Sequence, residues 1–421
     1  MEKLIIRGGN KLEGKVRVPG GKNTVLPILA ATIISGKKSV IKDCPKISDV
    51  ELTIEILKDL GCKVEWDGND IIVDSDNVFN AEIKEELMQK MRSSVIFLGA
   101  LISRMNRAKT SYPGGCELGL RPIDLHIKSF LKMGISVTES HGYIICDGKN
   151  RKETEIHLDF PSVGATENIM LAASSLKGKT TIINAAKEPE IVDLQEFLIK
   201  MGVNVKGAGT SIVEIEGTTE FKDVTHTIIP DRIVASTYMA AAAITGGKVE
   251  IENVCINHIG SVISAFNEIG TVVVPVDKKT ILAVGNKRIK PLNLIRTSPY
   301  PGFPTDVQSV LTAVLSVSKG TSMVVESIFE QRFKLVEELV KMGADITVNE
   351  KCAVIKGVPA LSGAKVVAPD LRSGAALCVA ALFAEGETEI SNLHYIKRGY
   401  EDLGENLKKL GADIEKVTLE G

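Results

Sequence analysis

The sequence predicts an α/β protein made of six copies of one strand–helix unit, with three copies in each of two domains. Two observations predict this fold class. A motif of the type Leu-x-x-x-Gly-x-x-Val/Ile, with Phe in place of Leu at Phe130 and Phe266, recurs along the 421 residues at intervals of 68 or 73 residues, and an apolar helix pattern precedes each copy. A regular period of this kind is the signature of internal structural repeats. The motif glycines are Gly61, Gly134, Gly202, Gly270, Gly343 and Gly411.

The first helix of each unit is predicted to be buried on nearly all sides. These segments are rich in Ala, Ile, Leu, Val and Ser and carry few charges after their first turn, which is typical of a helix inside a core. Three of them, packed in parallel, would form the core of each domain. The predicted buried helices lie near Asn23–Ser35, Arg92–Arg104, Gly164–Leu176, Asp231–Thr245, Asp306–Lys319 and Arg372–Ala384.

The second helix of each unit is predicted to be amphipathic and to end at the motif glycine. Charged residues alternate along Glu330–Leu339, so one face of that helix is expected to be solvated. A strand pair follows, as in Val64–Trp66 and Ile71–Val73, which Asp67-Gly68-Asn69-Asp70 joins as a hairpin. Each unit therefore reads as βαβαββ-like.

The domain boundary is predicted between the third and fourth units, near Ile229-Pro230. The last unit lacks one strand of the βαβαββ-like pattern. The strand Lys3–Arg7, which precedes the first buried helix, is expected to complete it. This closure would make the second domain discontinuous in sequence.

Composition excludes several classes of function. The formal net charge is −2 and aromatic residues make up 4%, so neither a basic nor a stacking surface for nucleic acid is expected. The sequence contains no apolar run long enough to span a membrane and no signal peptide at its start. Seven scattered cysteines indicate reduced thiols rather than a disulfide framework, and the six histidines form no metal-binding pattern. No metal or cofactor is predicted.

Basic residues at helix starts are the first candidate site. Lys22, Arg92 and Arg372 stand at the starts of buried helices, where the positive end of the helix dipole makes a cation unfavourable unless an anion binds there. Arg121, Arg332 and Arg398 stand at the starts of the second helices. A single arginine of this kind is more often a solvated surface charge, but the repeat places the set at equivalent ends.

Acidic and hydroxyl residues occupy the same helix starts. Ser162, Asp231 and Asp306 are interpreted first as N-caps. Asp306 could in addition act as a base.

Cys116 is the candidate reactive cysteine. It lies in a glycine-rich turn, Ser111-Tyr112-Pro113-Gly114-Gly115-Cys116, five residues before Arg121. A thiol on a loop beside a cation suits a reactive cysteine, whereas the alternative is an incidental cysteine in a surface turn.

Short motifs spread along the whole chain resemble those of the UDP-N-acetylglucosamine 1-carboxyvinyltransferase family. The matching segments are Gly21-Lys22-Asn23, Pro113–Cys116, Gly119-x-Arg121-Pro122-x-Asp124-x-His126, Ser162–Thr166, Pro189–Asp193, Phe303–Asp306, Phe329-Glu330-x-Arg332 and Arg398–Glu401. The resemblance implies the enolpyruvyl transferase fold. It also implies one domain of residues 22–229, with the Cys116 loop as a lid, and a discontinuous domain of residues 1–21 plus 230–421. The discontinuous domain would carry Asp306, Arg332, Arg372 and Arg398, and the active site would lie in the cleft between the domains.

The implied reaction transfers the enolpyruvyl group of phosphoenolpyruvate to the 3′-hydroxyl of UDP-N-acetylglucosamine and releases phosphate. It proceeds by addition and elimination and is the first committed step of peptidoglycan synthesis, and so belongs to cell-wall biogenesis, cell shape and cell division. The resemblance implies small-molecule substrates only, no cofactor, no nucleic-acid or membrane partner, and a cytoplasmic location. A monomer is expected.

The resemblance also assigns roles to individual residues. Cys116 would be the general acid and the site of alkylation by fosfomycin, and Asp306 would take the proton of the sugar hydroxyl. Lys22, Arg121 and Arg398 would hold the phosphate, with Arg332, Arg372 and Arg398 near the carboxylate. The nucleotide-sugar site would be lined by Asn23, Arg92, Arg121, Pro122, Ile123, Asp124, Leu125, Ser162, Val163, Gly164 and Ile328.

Two further expectations follow from the implied site. Phe160-Pro161 stands where some family members have a lysine, so Arg92 and Arg121 would meet the nucleotide diphosphate alone. The cations around Cys116 should lower the pKa of its thiol, and we hypothesise that bound phosphoenolpyruvate offsets them and keeps the thiol protonated.

Two other functions remain as alternatives. The shikimate-3-phosphate enolpyruvyl transferase shares the fold and the chemistry, but it lacks the Pro-Gly-Gly-Cys loop. A non-catalytic six-repeat scaffold or nucleotide-sugar-binding regulator would not need Cys116, Asp306, Lys22 and Arg398 together.

Overall fold

The computed structural model describes residues 2–112, 114 and 123–418, which form two compact bodies. The central body comprises residues 20–229 of this described chain. The discontinuous body comprises residues 2–19 and 230–418. The Cys116 loop, predicted to be a lid, lies outside the described residues.

The six predicted buried helices are confirmed, and each body contains three that pack against one another. The second one differs in its first turn, which is a 3-10 helix over Arg92–Ile96 that continues as an α-helix. We call these six the core helices: Lys22–Ser35, Phe97–Met105, Val163–Ala173, Arg232–Thr245, Thr305–Leu315 and Leu371–Ala381.

Side-chain contacts show that two neighbouring core helices of the central body run in the same direction. The Gly99 backbone N–H donates to Asn168 Oδ1 at 2.8 Å. Further along the first helix and just after the end of the second, the hydroxyls of Ser103 and Ser175 lie 2.8 Å apart. These two helices therefore have their N-termini at the same end of the body, as the sequence predicts.

The second helix of each unit ends at its motif glycine, and this explains the motif. All six glycines have a positive φ, from 75° at Gly134 to 111° at Gly202, a conformation that closes a helix and that side chains with a Cβ rarely adopt. The second helices are Ser48–Asp59, Asp124–Lys132, Pro189–Met201, Gly260–Glu268, Leu335–Lys341 after a 3-10 turn at Arg332–Lys334, and Leu403–Lys409 after Leu393–Ile396. Two further short helices are Glu85–Lys90 and Ile256–His258.

Each unit contributes one small sheet, in which an antiparallel strand pair joins the strand that follows the core helix. Five sheets have a further parallel leading strand, whereas the sheet of Arg107–Ser111 has three strands and only a bridge from Glu82 to Lys109 in that position. The leading strands are Val224–Thr227, Glu155–His157, Glu13–Arg17, Ile295–Arg296 and Lys365–Val367. The strands after the core helices are Lys38–Lys42, Arg107–Ser111, Lys179–Ile183, Lys248–Glu252, Thr321–Val325 and Glu387–Ser391.

The hairpin strands complete the sheets. They are Lys63–Asp67 with Asp70–Asp74, Ser136–Ser140 with Tyr143–Asp147, Asn204–Lys206 with Ile212–Glu216, Val272–Pro275 with Thr280–Val284, and Asp345–Asn349 with Cys352–Lys356. In the last unit, Asp413–Thr418 pairs antiparallel with the N-terminal strand Glu2–Arg7, so the predicted closure is confirmed.

The first unit is closed in a way that the sequence did not predict. Its leading strand, Val224–Thr227, comes from the end of the central body and pairs in parallel with Lys38–Lys42. The backbone N–H of Gly21 donates to the Ile229 carbonyl at 2.8 Å, which ties the two ends of this body together.

Two separate apolar clusters form the cores, one in each body. Cys44, Cys62, Cys146 and Cys378 are buried within them and act as small apolar side chains, as predicted. Within the described ranges no helix is both long and apolar enough to cross a membrane.

Candidate active site

The discontinuous body holds a carboxylate between two buried arginines. Asp306 is in the first turn of the core helix Thr305–Leu315. Arg332 Nη2 lies 2.6 Å from Asp306 Oδ1, and Arg372 Nη2 lies 3.3 Å from Oδ2. The sequence-predicted residues Asp306, Arg332 and Arg372 therefore meet in one cluster, which we call the acid–arginine cluster.

The arginines determine the charge state of Asp306. Burial alone raises the pKa of this carboxyl, but Arg372, Arg332 and Arg232 outweigh burial and hold the pKa well below its usual range. Burial alone would lower the pKa of Arg372, but the nearby Asp306 carboxylate outweighs burial and raises this pKa above its ordinary value. Asp306 is thus a firmly ionised carboxylate, and its side chain remains 24% exposed to solvent.

Each arginine still has an unused donor. The side chains of Arg332 and Arg372 are 2% and 3% exposed. Arg332 Nε and Arg372 Nη1 are buried and have no hydrogen-bond partner among the described residues. A buried unpaired guanidinium donor is costly, and a carboxylate or phosphate ligand would satisfy it. This arrangement suits a small anion beside Asp306.

The interpretation of Asp306 as an N-cap is wrong. The residue before its helix is Pro304, and the Asp306 carboxylate is bound to arginines rather than to helix N–H groups. Asp231 does cap its helix, accepting from the N–H of Ile233 at 2.8 Å and of Val234 at 3.0 Å. The Asp306 carboxylate is therefore a partner of the two arginines, and Pro304 occupies the N-cap position of its helix.

In the central body, the predicted phosphate ligand Lys22 is buried at the start of the first core helix. Its Nζ lies 2.7 Å from Asp49 Oδ2, and the two side chains are 10% and 4% exposed. A lysine placed so close to a helix N-terminus needs this carboxylate to stay charged. Sequence reasoning missed Asp49, whose only signal is its position in the first turn of the next helix.

His126 lies among the predicted nucleotide-sugar residues of the central body. A Cβ on Gly164 would come within 3.2 Å of the His126 ring, so the glycine lets the ring approach the helix Val163–Ala173. Ser162 caps that helix by accepting from the Ala165 N–H at 3.3 Å. The site thus has a helix N-terminus open to an anion on one side of His126.

His126 is neutral. Burial, followed by the nearby charge of Arg92, lowers its pKa from 6.5 to about 4, against a smaller opposing effect of Asp124. Its Nδ1 lies 2.7 Å from Asn168 Nδ2, whose side chain also donates to the Val95 carbonyl at 3.1 Å. The amide donates to both, so the imidazole proton is on Nε2. The sequence motif contained His126, but nothing in the pattern indicated that this histidine is buried and neutral.

The other predicted site residues are distributed as follows. Ile123 is buried just before the helix Asp124–Lys132, and Asp124 and Leu125 open that helix. In the discontinuous body, Ile328 lies in the loop after strand Thr321–Val325, and Arg398 is partly buried in a turn where its N–H donates to the Tyr395 carbonyl at 3.2 Å. Asn23 and Val163 lie in first helical turns. Cys116, Arg121 and Pro122 lie outside the described residues.

Comparison with known folds and families defines the class of protein. A model of the EPSP synthase (3-phosphoshikimate 1-carboxyvinyltransferase) family matches residues 6–407. The enolpyruvyl transferase NikO from Streptomyces tendae superposes with a TM-score of 0.90 at 25% identity, covering 100% of this chain and 99% of that one. EPSP synthase from Acinetobacter baumannii superposes with a TM-score of 0.76 at 18% identity, covering 99% and 100%. The fold is that of the enolpyruvyl transferases, as predicted.

Curated relatives narrow the class to one family. UDP-N-acetylglucosamine 1-carboxyvinyltransferase 2 of Caldanaerobacter subterraneus subsp. tengcongensis is 52% identical over 421 residues, which is 99% of this chain and 100% of the relative. UDP-N-acetylglucosamine 1-carboxyvinyltransferase of Halothermothrix orenii is 46% identical over 417 residues, covering 99% and 100%. The chain belongs to the UDP-N-acetylglucosamine 1-carboxyvinyltransferase family.

Proposed function

We propose that this protein transfers the enolpyruvyl group of phosphoenolpyruvate to the 3′-hydroxyl of UDP-N-acetylglucosamine and releases phosphate. The observation that carries the proposal is the acid–arginine cluster, in which an ionised Asp306 lies between two buried arginines that each keep a free donor. Its relatives at 52% and 46% identity are named for this activity. The reaction would commit the sugar nucleotide to peptidoglycan synthesis in the cytoplasm.

In this mechanism Asp306 accepts the proton of the sugar hydroxyl while the hydroxyl oxygen attacks C2 of phosphoenolpyruvate. A second acid, Cys116, gives a proton to C3. In the elimination, C3 loses a proton to the Cys116 thiolate, the bond between C2 and the phosphate oxygen breaks, and the enol double bond forms again as phosphate leaves. Positioning and proton transfer by side chains account for the whole sequence.

The arginines would bind the carboxylate of phosphoenolpyruvate through the donors that Asp306 leaves free. Arg398 would contribute to both the carboxylate and the phosphate. Lys22 and Arg121 would bind the phosphate. Guanidinium groups suit planar carboxylates because they form two parallel hydrogen bonds, and they stabilise charge as phosphate leaves.

Substrate binding would also activate Asp306. The free enzyme holds the pKa of this carboxyl far below its usual range, which makes it a weak base. A substrate carboxylate that shares Arg332 and Arg372 weakens their attraction for Asp306. The pKa of Asp306 then rises towards its ordinary value as the hydroxyl to be deprotonated arrives.

The nucleotide-sugar would bind the central body near His126. Arg92 and the helix N-terminus at Ser162, Val163 and Gly164 offer positive charge and free N–H groups to the diphosphate. Asn23, Ile123, Asp124, Leu125 and Pro122 would complete that site.

A phosphate-release assay tests the proposal. Release with phosphoenolpyruvate and UDP-N-acetylglucosamine, and none with shikimate 3-phosphate, is the expected result. Release only with shikimate 3-phosphate would assign the sister activity, and release with neither would leave a binding protein. Sedimentation of the purified protein tests the further expectation of a monomer.

A further inference from the structure

Glu326 is a fully buried carboxylate directly after the strand Thr321–Val325, and four donors converge on it. Its Oε1 accepts from Thr297 Oγ1 at 2.8 Å, from the Ile328 N–H at 2.8 Å and from the Phe329 N–H at 3.1 Å. Its Oε2 accepts from Thr305 Oγ1 at 2.9 Å. All four partners are neutral groups of the discontinuous body.

Three of these donors, Thr305, Ile328 and Phe329, belong to the two segments that carry Asp306 and Arg332. Thr305 is the first residue of the core helix and immediately precedes Asp306, and its carbonyl accepts from Arg332 Nη2 at 3.2 Å. Ile328 and Phe329 form the loop that leads to Arg332, and the Phe329 ring lies 5.6 Å from the Arg332 guanidinium. The Glu326 carboxylate therefore connects the segment that carries Asp306 with the segment that carries Arg332.

The arrangement needs a carboxylate at this position. Both oxygens of an ionised carboxyl accept hydrogen bonds, so one side chain can bind a hydroxyl on one oxygen and three donors on the other. Glutamine has the same shape but only one acceptor oxygen. Thr297 Oγ1 itself accepts from the Ser327 N–H at 2.9 Å, so its hydroxyl proton points to Glu326.

We propose that Glu326 is a positioning residue for the reaction, because it fixes the separation between the Asp306 carboxylate and the Arg332 guanidinium through Thr305 and the Ile328–Phe329 loop. Its side chain has no exposed surface, so it acts through these residues and not on the substrate. This inference rests on the proposed function, in which Asp306 is the base.

The test removes the Thr305 link alone. Thr305→Val keeps the shape and deletes the hydroxyl, whereas the matched Thr305→Ser keeps the hydroxyl. With Thr305→Val, kcat should fall on the order of 10- to 100-fold because the base is displaced by a fraction of an ångström to an ångström. The affinity for UDP-N-acetylglucosamine, measured by calorimetry, should stay within about threefold because the Ile328 loop keeps its contacts with Glu326. Thr305→Ser should recover most of the lost kcat.

A second readout separates positioning from mere support of the fold. Asp306 faces Arg332, Arg372 and Arg232. If Thr305→Val weakens the contact between Arg332 and Asp306, the pKa of Asp306 rises and the acidic limb of the kcat/KM profile moves to higher pH. A lower content of folded enzyme would not cause this shift. Glu326→Gln should move the limb in the same direction, and it tests the inference if Thr305→Val does not fold.

The outcomes are distinct. A wild-type enzyme that releases no phosphate with either acceptor removes the proposed function, and the inference with it. An active wild type whose Thr305→Val and Glu326→Gln variants keep kcat and the pH profile overturns the inference alone. A loss of kcat that Thr305→Ser does not recover would also contradict it.

Discussion

The Nη2 atom of Arg332 lies 2.6 Å from Oδ1 of Asp306, so the arginine proposed to bind the substrate's carboxylate also binds the proposed base. Arg372 makes the corresponding contact with the other oxygen at 3.3 Å. Both arginine side chains are almost fully buried, whereas the Asp306 side chain is 24% exposed. In the proposed mechanism, substrate binding and the basicity of Asp306 are therefore coupled through the same guanidinium groups.

This coupling predicts a difference between two pH profiles. The profile of kcat/KM reports the free enzyme, in which the pKa of Asp306 is well below its usual range, whereas the profile of kcat reports the complex. Since a bound carboxylate weakens the hold of the arginines, the acidic limb of kcat should lie at higher pH than that of kcat/KM. Initial rates measured from roughly pH 2 to pH 8 include the acidic limbs of both profiles. Coincident limbs would contradict the coupling.

Removal of the base should stop turnover and spare binding. Asp306→Asn keeps the shape of the side chain but not its basicity, so kcat should fall about 10²- to 10⁴-fold. The Kd for UDP-N-acetylglucosamine should change little. The exposed Asp277→Asn serves as the control and should leave kcat unchanged. Full turnover of Asp306→Asn would assign the proton transfer to another group.

Replacing an arginine of the cluster by lysine keeps the charge and loses the paired hydrogen bonds. For Arg372→Lys, the KM for phosphoenolpyruvate should rise by roughly 10- to 100-fold, since one charge-assisted hydrogen bond contributes about 1.5–3 kcal/mol. The KM for the nucleotide-sugar should stay close to the wild-type value. Arg7→Lys, at an ion pair that is 45% exposed, is the control and should behave as wild type. If Arg372→Lys and the wild type have equal KM values for phosphoenolpyruvate, Arg372 does not bind this substrate.

The neutral His126 predicts a loss of stability in mild acid. Its pKa is lowered from 6.5 to about 4, so the unfolded chain binds a proton that the folded chain does not. The stabilisation is complete above pH 6.5 and is lost as the pH falls from 6.5 to 4. Linkage gives a decrease of about 2 kcal/mol in unfolding free energy between pH 7 and pH 5.

Urea unfolding at the two pH values measures this decrease. His126→Gln removes the titrating group and should flatten the dependence, whereas the exposed His141→Gln should leave it as in the wild type. An unchanged slope in His126→Gln would show that other groups cause the acid sensitivity.

Cys116 can be tested although its loop lies outside the described residues. Cys116→Ser should lose most turnover and all sensitivity to fosfomycin, because a hydroxyl is a much weaker acid and nucleophile than a thiol. Cys116→Asp should keep turnover and lose the sensitivity, since a carboxyl can donate a proton. Phosphate release with and without fosfomycin measures both effects. A fully active Cys116→Ser enzyme would remove the loop from the chemistry.

Thiol titration tests the protonation state that this role requires. With phosphoenolpyruvate bound, Cys116 should remain protonated at neutral pH because the substrate's charge offsets the surrounding cations. A thiolate in the substrate complex would contradict that hypothesis.

The repeat made most of the fold predictable from sequence. Each motif glycine marks a backbone position with positive φ, so its spacing recorded the unit length directly. The apolar composition of the core helices identified them in the same way. The pairing of Val224–Thr227 with Lys38–Lys42 was not predictable, because a strand that closes a domain from its far end leaves no local signal.

The candidate site was predictable in part. Arginines at helix starts pointed to anion binding, and three of the predicted residues, Asp306, Arg332 and Arg372, do meet. The same position also suggested that Asp306 caps its helix, since an aspartate near a helix start usually does. In the structure Asp306 instead contacts Arg332 and Arg372. Contacts between such distant segments cannot be read from the local sequence. Glu326 and Asp49 escaped notice for that reason.

The position of the N-terminal strand affects how the chain can fold during its synthesis. Glu2–Arg7 lies between Glu387–Ser391 and Asp413–Thr418, so its sheet cannot be completed until residues 387–418 have left the ribosome. The central body has both of its ends joined at Gly21 and Ile229 and needs no later segment of the described chain. Because synthesis proceeds from the N-terminus, the central body can fold before the discontinuous body, in which Glu2–Arg7 pairs with Asp413–Thr418 only after that later strand has been made.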